Sequence, residues 1–364
     1  MTLPLHKIRI LDLSRVLAGP LASMILADLG ADVLKIERPG GGDETRGWGP
    51  PFDDRGESAY YLSVNRNKLS VAADLSVSAD RELLARLMPE ADVVLENFRP
   101  GTLERHGLGA DTMLAAHPRL VWCTITGFGL DSPRPGYDFV VQAESGWMAI
   151  TGEPDGAPMK VGVALADVLA GKDAAIQILA ALAGGRREPR RIEVSLLHSA
   201  TSALVNVAQN ALVTGAEAKR WGNAHPNLVP YQLFEAADRP FVIAVGSDPQ
   251  WAACARALGL DALSRDASLA TNAGRIAARE RVVAAIADRV RGESAAAWIA
   301  RLESAGVPCG VVKPVLEALC GVEASPLTGV APRGATAVRR APPRLNEHGD
   351  AVRAEGWAAF LRAP

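Results

Sequence analysis

The N-terminal segment alternates between two hydrophobic patterns, and this alternation limits the folds that are open to the chain. Ile8–Leu13 is a short apolar run typical of a strand, and Ala31–Glu37 is another. Between them, Pro20–Leu29 has the pattern of a helix that ends at Gly30. A strand, a helix and a strand in this order predict a β-α-β unit, whose two strands lie parallel and are joined by a right-handed crossover.

The same succession continues downstream. Strand patterns recur at Lys68–Leu75, Ala91–Glu96 and Leu120–Thr126, with a helical pattern at Arg81–Met88. We therefore predict an α/β fold with a Rossmann-like, doubly wound large domain built on a parallel sheet. After Thr214 the composition changes, and the mixture of helix and strand patterns over 225–325 predicts a smaller α+β domain.

Composition excludes several classes of function. A formal charge of −2 over 364 residues gives no general attraction to nucleic acid or to a membrane surface. No stretch reaches the ~18 apolar residues of a membrane span, and the N-terminus has no signal-peptide pattern, so we expect a cytoplasmic protein. The four cysteines lack metal-ligand spacing, and we expect buried, reduced thiols and no metal. The basic stretch 184–191 is expected to be a solvated surface turn.

Cationic and amide side chains lie near three predicted strand ends. They are Arg38, the run Asn65–Lys68 and the run Asn97–Arg99. Each taken singly is more often an ordinary surface group, but together they favour a phosphorylated ligand. The glycines at 40–42 follow the second predicted strand rather than the first, so they do not form a dinucleotide-binding fingerprint.

Asp167 is an acidic residue that lies between small and apolar residues in the sequence. Six small or apolar residues, 161–166, precede it, and a helical pattern over 168–182 follows. This setting predicts a desolvated carboxylate at a strand-to-helix junction, near a helix N-terminus that would stabilise its charge. From the residues alone, an N-cap and an acyl-accepting nucleophile are about equally good interpretations.

Eight segments in order carry a resemblance to a known family. The chain resembles the family III coenzyme A (CoA) transferases, also called the CaiB/BaiF family, which include formyl-CoA transferase, carnitine CoA-transferase and the α-methylacyl-CoA racemases. The matching segments are Leu11–Pro20, Leu29–Gly40, Asn65–Lys68, Glu96–Gly101, Gly136–Asp138, Gly162–Asp167, Pro226–Tyr231 with Gly246, and Ala341–His348.

The resemblance implies that Asp167 is the catalytic aspartate. In this family the aspartate attacks the thioester carbonyl of a donor acyl-CoA and forms a mixed anhydride, and the released thiolate then converts the aspartyl group into an aspartyl-CoA thioester. An acceptor acid reverses the sequence. The expected partners are therefore an acyl-CoA and a carboxylic acid, and the run 159–164 is similar to members that act on small dicarboxylic acids. Lys160 or Arg134 could meet a second carboxylate, although an ordinary surface lysine is the simpler interpretation.

The resemblance also implies a set of CoA-binding residues. Val16 and Ala18 would line the CoA cleft by their backbone, and Arg38 would meet the adenosine phosphates. The nucleotide and pantetheine would be held by Asn97, Phe98 and Arg105, with Lys68 and Arg99 nearby. Arg105 could equally be a solvated charge on a helix.

Two residues beside the predicted nucleophile complete the implied catalytic set. Asp138 corresponds to an acidic residue next to the active site, and Tyr137 precedes it. The racemases carry a histidine at the tyrosine's position, and a phenol with a pKa of ~10 is a poor base at neutral pH. A CoA-transferase is thus favoured over an acyl-CoA racemase or epimerase. A CoA-binding relative without turnover stays open as a further alternative.

Family members form interlocked homodimers, and we expect the same here. The implied organisation is a large CoA-binding domain over 1–224, the small domain over 225–325, and a segment over 326–364 that returns to the large domain. Ser195–Val213 has the pattern of one long, mostly apolar helix, which makes it a candidate for the subunit interface. The loop 129–135 looks shorter than usual for the family.

Overall fold

The computed structural model describes residues 2–185 and 190–362. Their contacts group into two compact units. The first comprises the described parts of 1–148, 160–217 and 322–364, and the second comprises 149–159 and 218–321. Part of the basic stretch 184–191 lies outside the described residues.

The first unit is built on a parallel sheet, as predicted, and the sheet has six strands. The sixth strand was not predicted: it begins at Arg190, so the last two residues of the basic stretch 184–191 belong to a strand rather than to a surface turn. The strand order of the sheet is β3-β2-β1-β4-β5-β6, the order of a doubly wound Rossmann-like sheet. The strands are β1 (Arg9–Asp12), β2 (Asp32–Glu37), β3 (Lys68–Ala72), β4 (Val93–Glu96), β5 (Val121–Thr126) and β6 (Arg190–Ser195).

The described residues up to 214 form nine α-helices. They are α1 (Ala18–Asp28), α2 (Ala59–Leu62), α3 (Ser78–Leu87), α4 (Ala110–Ala116), α5 (Asp138–Glu144), α6 (Trp147–Ile150), α7 (Leu165–Ala183), α8 (Leu196–Ser202) and α9 (Asn206–Thr214). Short 3₁₀ helices occur at Glu44–Gly47, Met88–Glu90 and Glu104–His106.

Successive side chains of the strands point into two hydrophobic cores, one on each face of the sheet. On β1, Ile10 joins a core shared with α1 and α7, whereas Leu11 joins a core shared with α3 and α4. Both side chains are fully buried. Because successive residues of a strand point to opposite faces, a central strand needs apolar residues at both positions, and this explains the unbroken apolar run in the sequence.

The segment before Asp167 differs from the prediction. Residues 161–164 are irregular rather than a strand, and α7 begins at Leu165. The helix begins three residues before the predicted start at 168, so Asp167 lies inside the first turn and is not the N-cap, which is Ala164. An apolar run this short and rich in small residues does not by itself distinguish a strand from an irregular segment, and Val163 is in fact exposed.

The predicted long helix Ser195–Val213 is two helices. It breaks between α8 and α9, where Val205 has φ 44°. No residue of α9 is buried, and Leu212 and Val213 are 78% and 74% exposed. The apolar character of α9 is therefore not explained by packing within the described chain.

The second unit contains a three-stranded antiparallel sheet in the order β7-β8-β9, with β7 at Tyr231–Glu235, β8 at Pro240–Ala244 and β9 at Cys309–Val311. Its helices are α10 (Asp248–Ala257), α11 (Asp261–Ser264), α12 (Asn272–Ala277), α13 (Arg279–Val290), α14 (Ala295–Ser304) and α15 (Val315–Leu319), with a 3₁₀ turn at Ala267–Leu269. Trp251, Trp298 and Phe241 are central to its own hydrophobic core. The expected mixture of helices and strands is present, as predicted.

The C-terminal segment packs on the first unit. It contains a two-stranded antiparallel sheet of β10 (Ala324–Ser325) and β11 (Gly329–Val330), helix α16 (Gly349–Glu355) and a 3₁₀ helix at Gly356–Leu361. Val352 and Trp357 join the core around Leu11. The Trp357 indole N–H also donates to the carbonyl of Leu87 at 3.1 Å.

Composition predicts that the chain has no membrane span and that its cysteines are buried and reduced. No helix among the described residues is long and apolar enough to cross a membrane. All four cysteines are free, and Cys123 and Cys254 are buried as predicted. The prediction was wrong for Cys320, which is exposed, because α15 leaves its apolar side chains at the surface.

Candidate active site

A cavity opens at the carboxyl edge of the parallel sheet, beyond the ends of β1, β4 and β5. It encloses about 160 Å³. Ligands of open α/β sheets bind at this edge. The structure brings most of the predicted site residues together in its wall, namely Val16, Ala18, Asn97, Phe98, Arg99, Tyr137 and Asp167.

Asp167 presents its carboxylate to this cavity from the first turn of α7. The side chain is partly buried and accepts no hydrogen bond from the described residues. Burial, followed by the negative charge of Asp138, raises the pKa of Asp167 to about 7. A carboxylate with few stabilising partners and a raised pKa is a better nucleophile than an ordinary surface aspartate.

Asp138 holds the turn that carries Asp167. Its Oδ1 accepts the N–H of Ala166 at 2.8 Å, and its Oδ2 accepts the side-chain amide of Gln142 at 2.7 Å. The Ala166 N–H is one of the orphan donors at the start of α7, so Asp138 caps this helix from outside. Tyr137, the residue before it, is 53% exposed and lies in the cavity wall.

The loop between β1 and α1 forms another wall, and a buried ion pair holds it. Val16 has φ 70°, a left-handed conformation that is unusual for a β-branched residue. Its N–H lies 3.2 Å from both carboxylate oxygens of Asp43, which pairs with the fully buried Lys35 at 3.0 Å. Burial alone would raise the pKa of Asp43, but Lys35 and hydrogen bonds from Thr45 outweigh it and lower that pKa. The ionised Asp43 thus stabilises the strained backbone at Val16.

Asn97 fixes the same loop from the other side. Its amide donates to the carbonyl of Arg15 at 2.8 Å and accepts the Arg15 N–H at 3.0 Å. The backbone N–H of the next residue, Phe98, donates to Glu96 at 2.9 Å. Asn97 therefore shapes the cleft through the backbone of Arg15, while the ring of Phe98 faces the cavity.

A second cavity of about 250 Å³ lies beside the first. The two share Arg15, Glu44 and Phe98 in their walls. Arg38, which the resemblance assigns to the adenosine phosphates, lines this second cavity and not the first. Its Nε donates to the carbonyl of Gly42 at 3.1 Å, so the guanidinium keeps further donors available.

The structure does not bring the motif Asn65–Lys68 to the cavity. Because β3 begins at Lys68, these residues lie at the amino edge of the parallel sheet, away from the carboxyl edge that carries the cavity. Lys68 is fully buried, and its ammonium donates to Pro20 O and Asn65 Oδ1 at 2.9 Å and to Asp12 at 3.2 Å. It has no exposed atoms with which to contact a ligand.

Arg66 and Asn67 of the same motif also have internal partners. Arg66 donates twice to Asp28, at 2.7 and 3.0 Å, and also donates to carbonyls of the C-terminal segment. The motif therefore stabilises the fold through internal hydrogen bonds and does not bind a phosphate at the cavity. Arg105 is exposed, hydrogen-bonds to Thr102, and lines neither of the two cavities described above.

Tyr60 interacts electrostatically with the site, and no sequence pattern singled it out. Burial, followed by the charges of Asp167, Asp138 and Asp43, raises the pKa of Tyr60 to about 12. Its side chain lines neither of the two cavities described above. Its ring meets that of Trp48 edge to face, with 5.1 Å between centroids. The only sequence signal was a pair of aromatic residues in the polar loop region after β2.

Arg134 lines the Asp167 cavity, but its charge already has a partner. It donates to both carboxylate oxygens of Glu144, one of them at 3.1 Å, and its guanidinium lies 4.0 Å from the centre of the Phe128 ring. Lys160 is exposed and donates to the carbonyl of Val161 at 3.2 Å. Neither side chain is a free cation inside the cavity.

Comparison with known proteins assigns the chain to a family. A model of CoA-transferase family III matches residues 5–349. The chain belongs to CoA-transferase family III. It is therefore a transferase, and enzymes of this kind use CoA thioesters as substrates.

Curated and structural relatives of this family III CoA-transferase agree with that assignment. The succinate–glutarate CoA-transferase of Agrobacterium fabrum is 41% identical over 324 residues, which cover 86% of this chain and 81% of that protein. The succinyl-CoA:glutarate CoA-transferase of Mus musculus is 43% identical over 85% of this chain and 72% of that protein. A crystal structure of a CaiB/BaiF family protein from Brucella suis has a TM-score of 0.88 and 39% identity, covering 98% of this chain and 100% of that one.

The described residues contain no group of three or more His, Cys, Asp or Glu side chains placed to hold a metal ion. The absence of a metal stays a prediction.

Proposed function

We propose that the protein transfers CoA from an acyl-CoA donor to a carboxylic acid acceptor through covalent intermediates on Asp167. The carboxylate attacks the thioester carbonyl, and the C–S bond breaks to give an aspartyl–acyl anhydride and CoA thiolate. The thiolate attacks the aspartyl carbonyl, releasing the donor acid and leaving an aspartyl-CoA thioester. The acceptor carboxylate then attacks this thioester, and the same steps run in reverse.

The placement of Asp167 is the observation that carries this proposal. The carboxylate lies in a cavity at the carboxyl edge of the sheet, with a raised pKa and no hydrogen bond from the described residues. An anhydride is readily hydrolysed, so a partly desolvated site is needed. In this scheme Asp138 positions α7 and tunes the charge of Asp167, and Tyr137 borders the acyl group.

The CoA moiety would extend from Asp167 into the second cavity. Val16 and Ala18 would contact it by backbone, and Phe98 would pack against it where the two cavities adjoin. Arg38 and Arg99 would meet its phosphates, because both are exposed at this edge. Arg105 could add to this charge from the surface, whereas Asn97 would act through the backbone of Arg15.

We propose a small dicarboxylic acid as acceptor. Two relatives carry names that specify succinate or succinyl-CoA together with glutarate. Arg99 lines the Asp167 cavity, which supports the binding of a second negative charge, whereas the other two arginines of the wall, Arg15 and Arg134, already pair with Glu44 and Glu144. A panel of CoA esters and acids, read by mass spectrometry, tests this point, and exclusive use of monocarboxylic acids would contradict it.

The proposal includes an interlocked homodimer in the cytoplasm, with domains over 1–224, 225–325 and 326–364. The unpacked apolar face of α9 supports self-association. Four free cysteines are typical of a reducing compartment. Light scattering and cell fractionation test the two statements separately.

The decisive experiment follows labelled acid into CoA ester. Asp167→Ala is expected to abolish exchange, because this variant lacks the carboxylate that attacks the thioester. Asp173→Asn, a matched change further along α7, is expected to retain it. Hydroxylamine should trap Asp167 of the wild-type protein during turnover. Exchange that survives Asp167→Ala would overturn the mechanism.

The same samples separate the two alternatives. Deuterium incorporation at the α-carbon without acyl exchange would identify a racemase and contradict the argument from Tyr137. Binding of CoA esters in calorimetry, without exchange and without a trapped adduct, would identify a binding protein.

A further inference from the structure

Gln142 lies behind the active site on α5, one turn after Asp138. Its side chain is fully buried. The Nε2 group donates to Asp138 Oδ2 at 2.7 Å and to the carbonyl of Val163 at 3.2 Å. Its Oε1 accepts the N–H of Val161 at 2.8 Å. One amide thus bonds to a helix and to the segment that leads into Asp167.

These partners allow only one orientation of the amide. The N–H of Val161 can only donate, so it requires the oxygen of Gln142. The carbonyl of Val163 can only accept, and the ionised Asp138 can only accept, so both require the nitrogen. A flipped amide would lose all three hydrogen bonds, and a buried polar group left without partners is costly.

The contacts of Gln142 continue to the nucleophile. Asp138 links Gln142 to the first turn of α7, because its other carboxylate oxygen accepts the N–H of Ala166 at 2.8 Å. Val161 and Val163 precede the same helix in the sequence, so their hydrogen bonds to Gln142 fix the segment that leads into it. Asp167 itself accepts no hydrogen bond from the described residues, so its position depends on the turn that carries it.

We propose that Gln142 is a positioning residue for acyl transfer, which holds Asp138 and the segment 161–163 so that α7 presents Asp167 to the thioester. This inference rests on the proposed function. It predicts a specific kinetic pattern, because Gln142 contacts none of the residues assigned to CoA binding. Misplacement of a nucleophile by about 1 Å can cost about 100-fold in rate.

Gln142→Met tests the role by removing the polar atoms at similar length. We expect kcat to fall about 10–100-fold, while KM for the acyl-CoA changes less than about twofold. Gln177→Met, which alters an exposed glutamine on α7, is the matched control and should change neither constant. An unchanged kcat in folded Gln142→Met, or an equal change in kcat and KM, would overturn the inference.

Gln142→Glu keeps the shape and supplies a second test if the methionine variant does not fold. An ionised carboxylate at this position would repel Asp138, whereas a protonated carboxyl group can donate to it as the amide does. The titratable groups around this point are Asp138, Asp167 and Tyr60. The ratio of Gln142→Glu activity to wild-type activity should therefore rise as the pH falls, and a ratio independent of pH would contradict the role.

The two proposals fail in distinguishable ways. Exchange that survives Asp167→Ala removes the proposed function, whatever the Gln142 variants do. Loss of exchange in Asp167→Ala, together with wild-type kcat in Gln142→Met, removes only the positioning role.

Discussion

At the level of single residues, the site depends on one carboxylate that lacks the usual stabilising partners. Asp167 has the raised pKa of a desolvated acid, and Asp138 contributes to it at close range. Asp138 also caps the turn that carries Asp167. Asp138 thus contributes both to the position of Asp167 and, after burial, to its raised pKa.

Asp138→Asn should move the pH dependence of exchange. The wild-type rate is expected to rise with pH through about 7, because Asp167 must be ionised to attack. Removing the neighbouring negative charge lowers the pKa of Asp167, so the acid limb of kcat/KM should shift to lower pH. The asparagine oxygen can still accept the Ala166 N–H, but its amide nitrogen then faces the Gln142 amide nitrogen, so the overall rate should fall as well, and the position of the acid limb is the readout. An acid limb that stays in place would show that Asp138 does not tune the nucleophile.

Asp167→Asn should stabilise the protein at high pH. The pKa of Asp167 rises from 3.8 to about 7 in the folded state, so the charged form is disfavoured by folding. This destabilisation is absent below pH 3.8, grows between the two values and is complete above about 7. We expect the free energy of unfolding at pH 8 to increase by about 1–3 kcal/mol, after allowance for partial exposure. Urea titrations at pH 8 and pH 5 measure it, and an equal gain at both would contradict the assignment.

At the level of helices and strands, the site depends on how closely α7 approaches α1. Gly171 lies one turn after Asp167, and a Cβ atom there would be 2.6 Å from the carbonyl oxygen of Ala18 and 3.3 Å from Leu21. Only glycine permits this contact. The first turns of α1 and α7, which carry Ala18 and Asp167, are thereby held at one cavity.

Gly171→Ala should push these two helices apart. We expect a loss of about 1–3 kcal/mol in the free energy of unfolding and a lower kcat. Gly184→Ala, just after α7, is the matched control, since its Cβ would meet nothing closer than 3.5 Å. Denaturant melts and exchange rates of the two variants check this. Equal behaviour of both variants would show that the close approach is unimportant.

At the level of the whole molecule, α9 bears on the assembly. Its exposed apolar residues, Leu212 and Val213 among them, have no partner surface within the described chain. Leu212→Glu is expected to weaken self-association because it places a charge in an apolar contact. Light scattering across a concentration series measures the mass. A dimer that persists unchanged would exclude α9 from the interface, whereas Lys219→Glu, at an exposed site, should leave it intact.

The sequence by itself determined the α/β class, the order of the sheet elements and the position of Asp167. Hydrophobic periodicity is a local property, so β1, α1 and β2 could be located from their own residues. The start of α7 was located in the same way to within three residues. The strand predicted before it is absent, because a short apolar run has no period of its own. The eight family segments indicated the family, and with it Asp167 as the proposed nucleophile, before any geometry was known.

Only the tertiary structure decided which polar residues meet. Lys68 looked like a ligand contact in the sequence, yet it is buried against Asp12, a residue far away along the chain. Tyr60 and Gln142 had no distinctive local pattern, and they reach Asp167 and Asp138 through folding. Contacts between distant residues depend on which edge of the sheet each element faces, and that is set by packing across both cores rather than by neighbours in sequence.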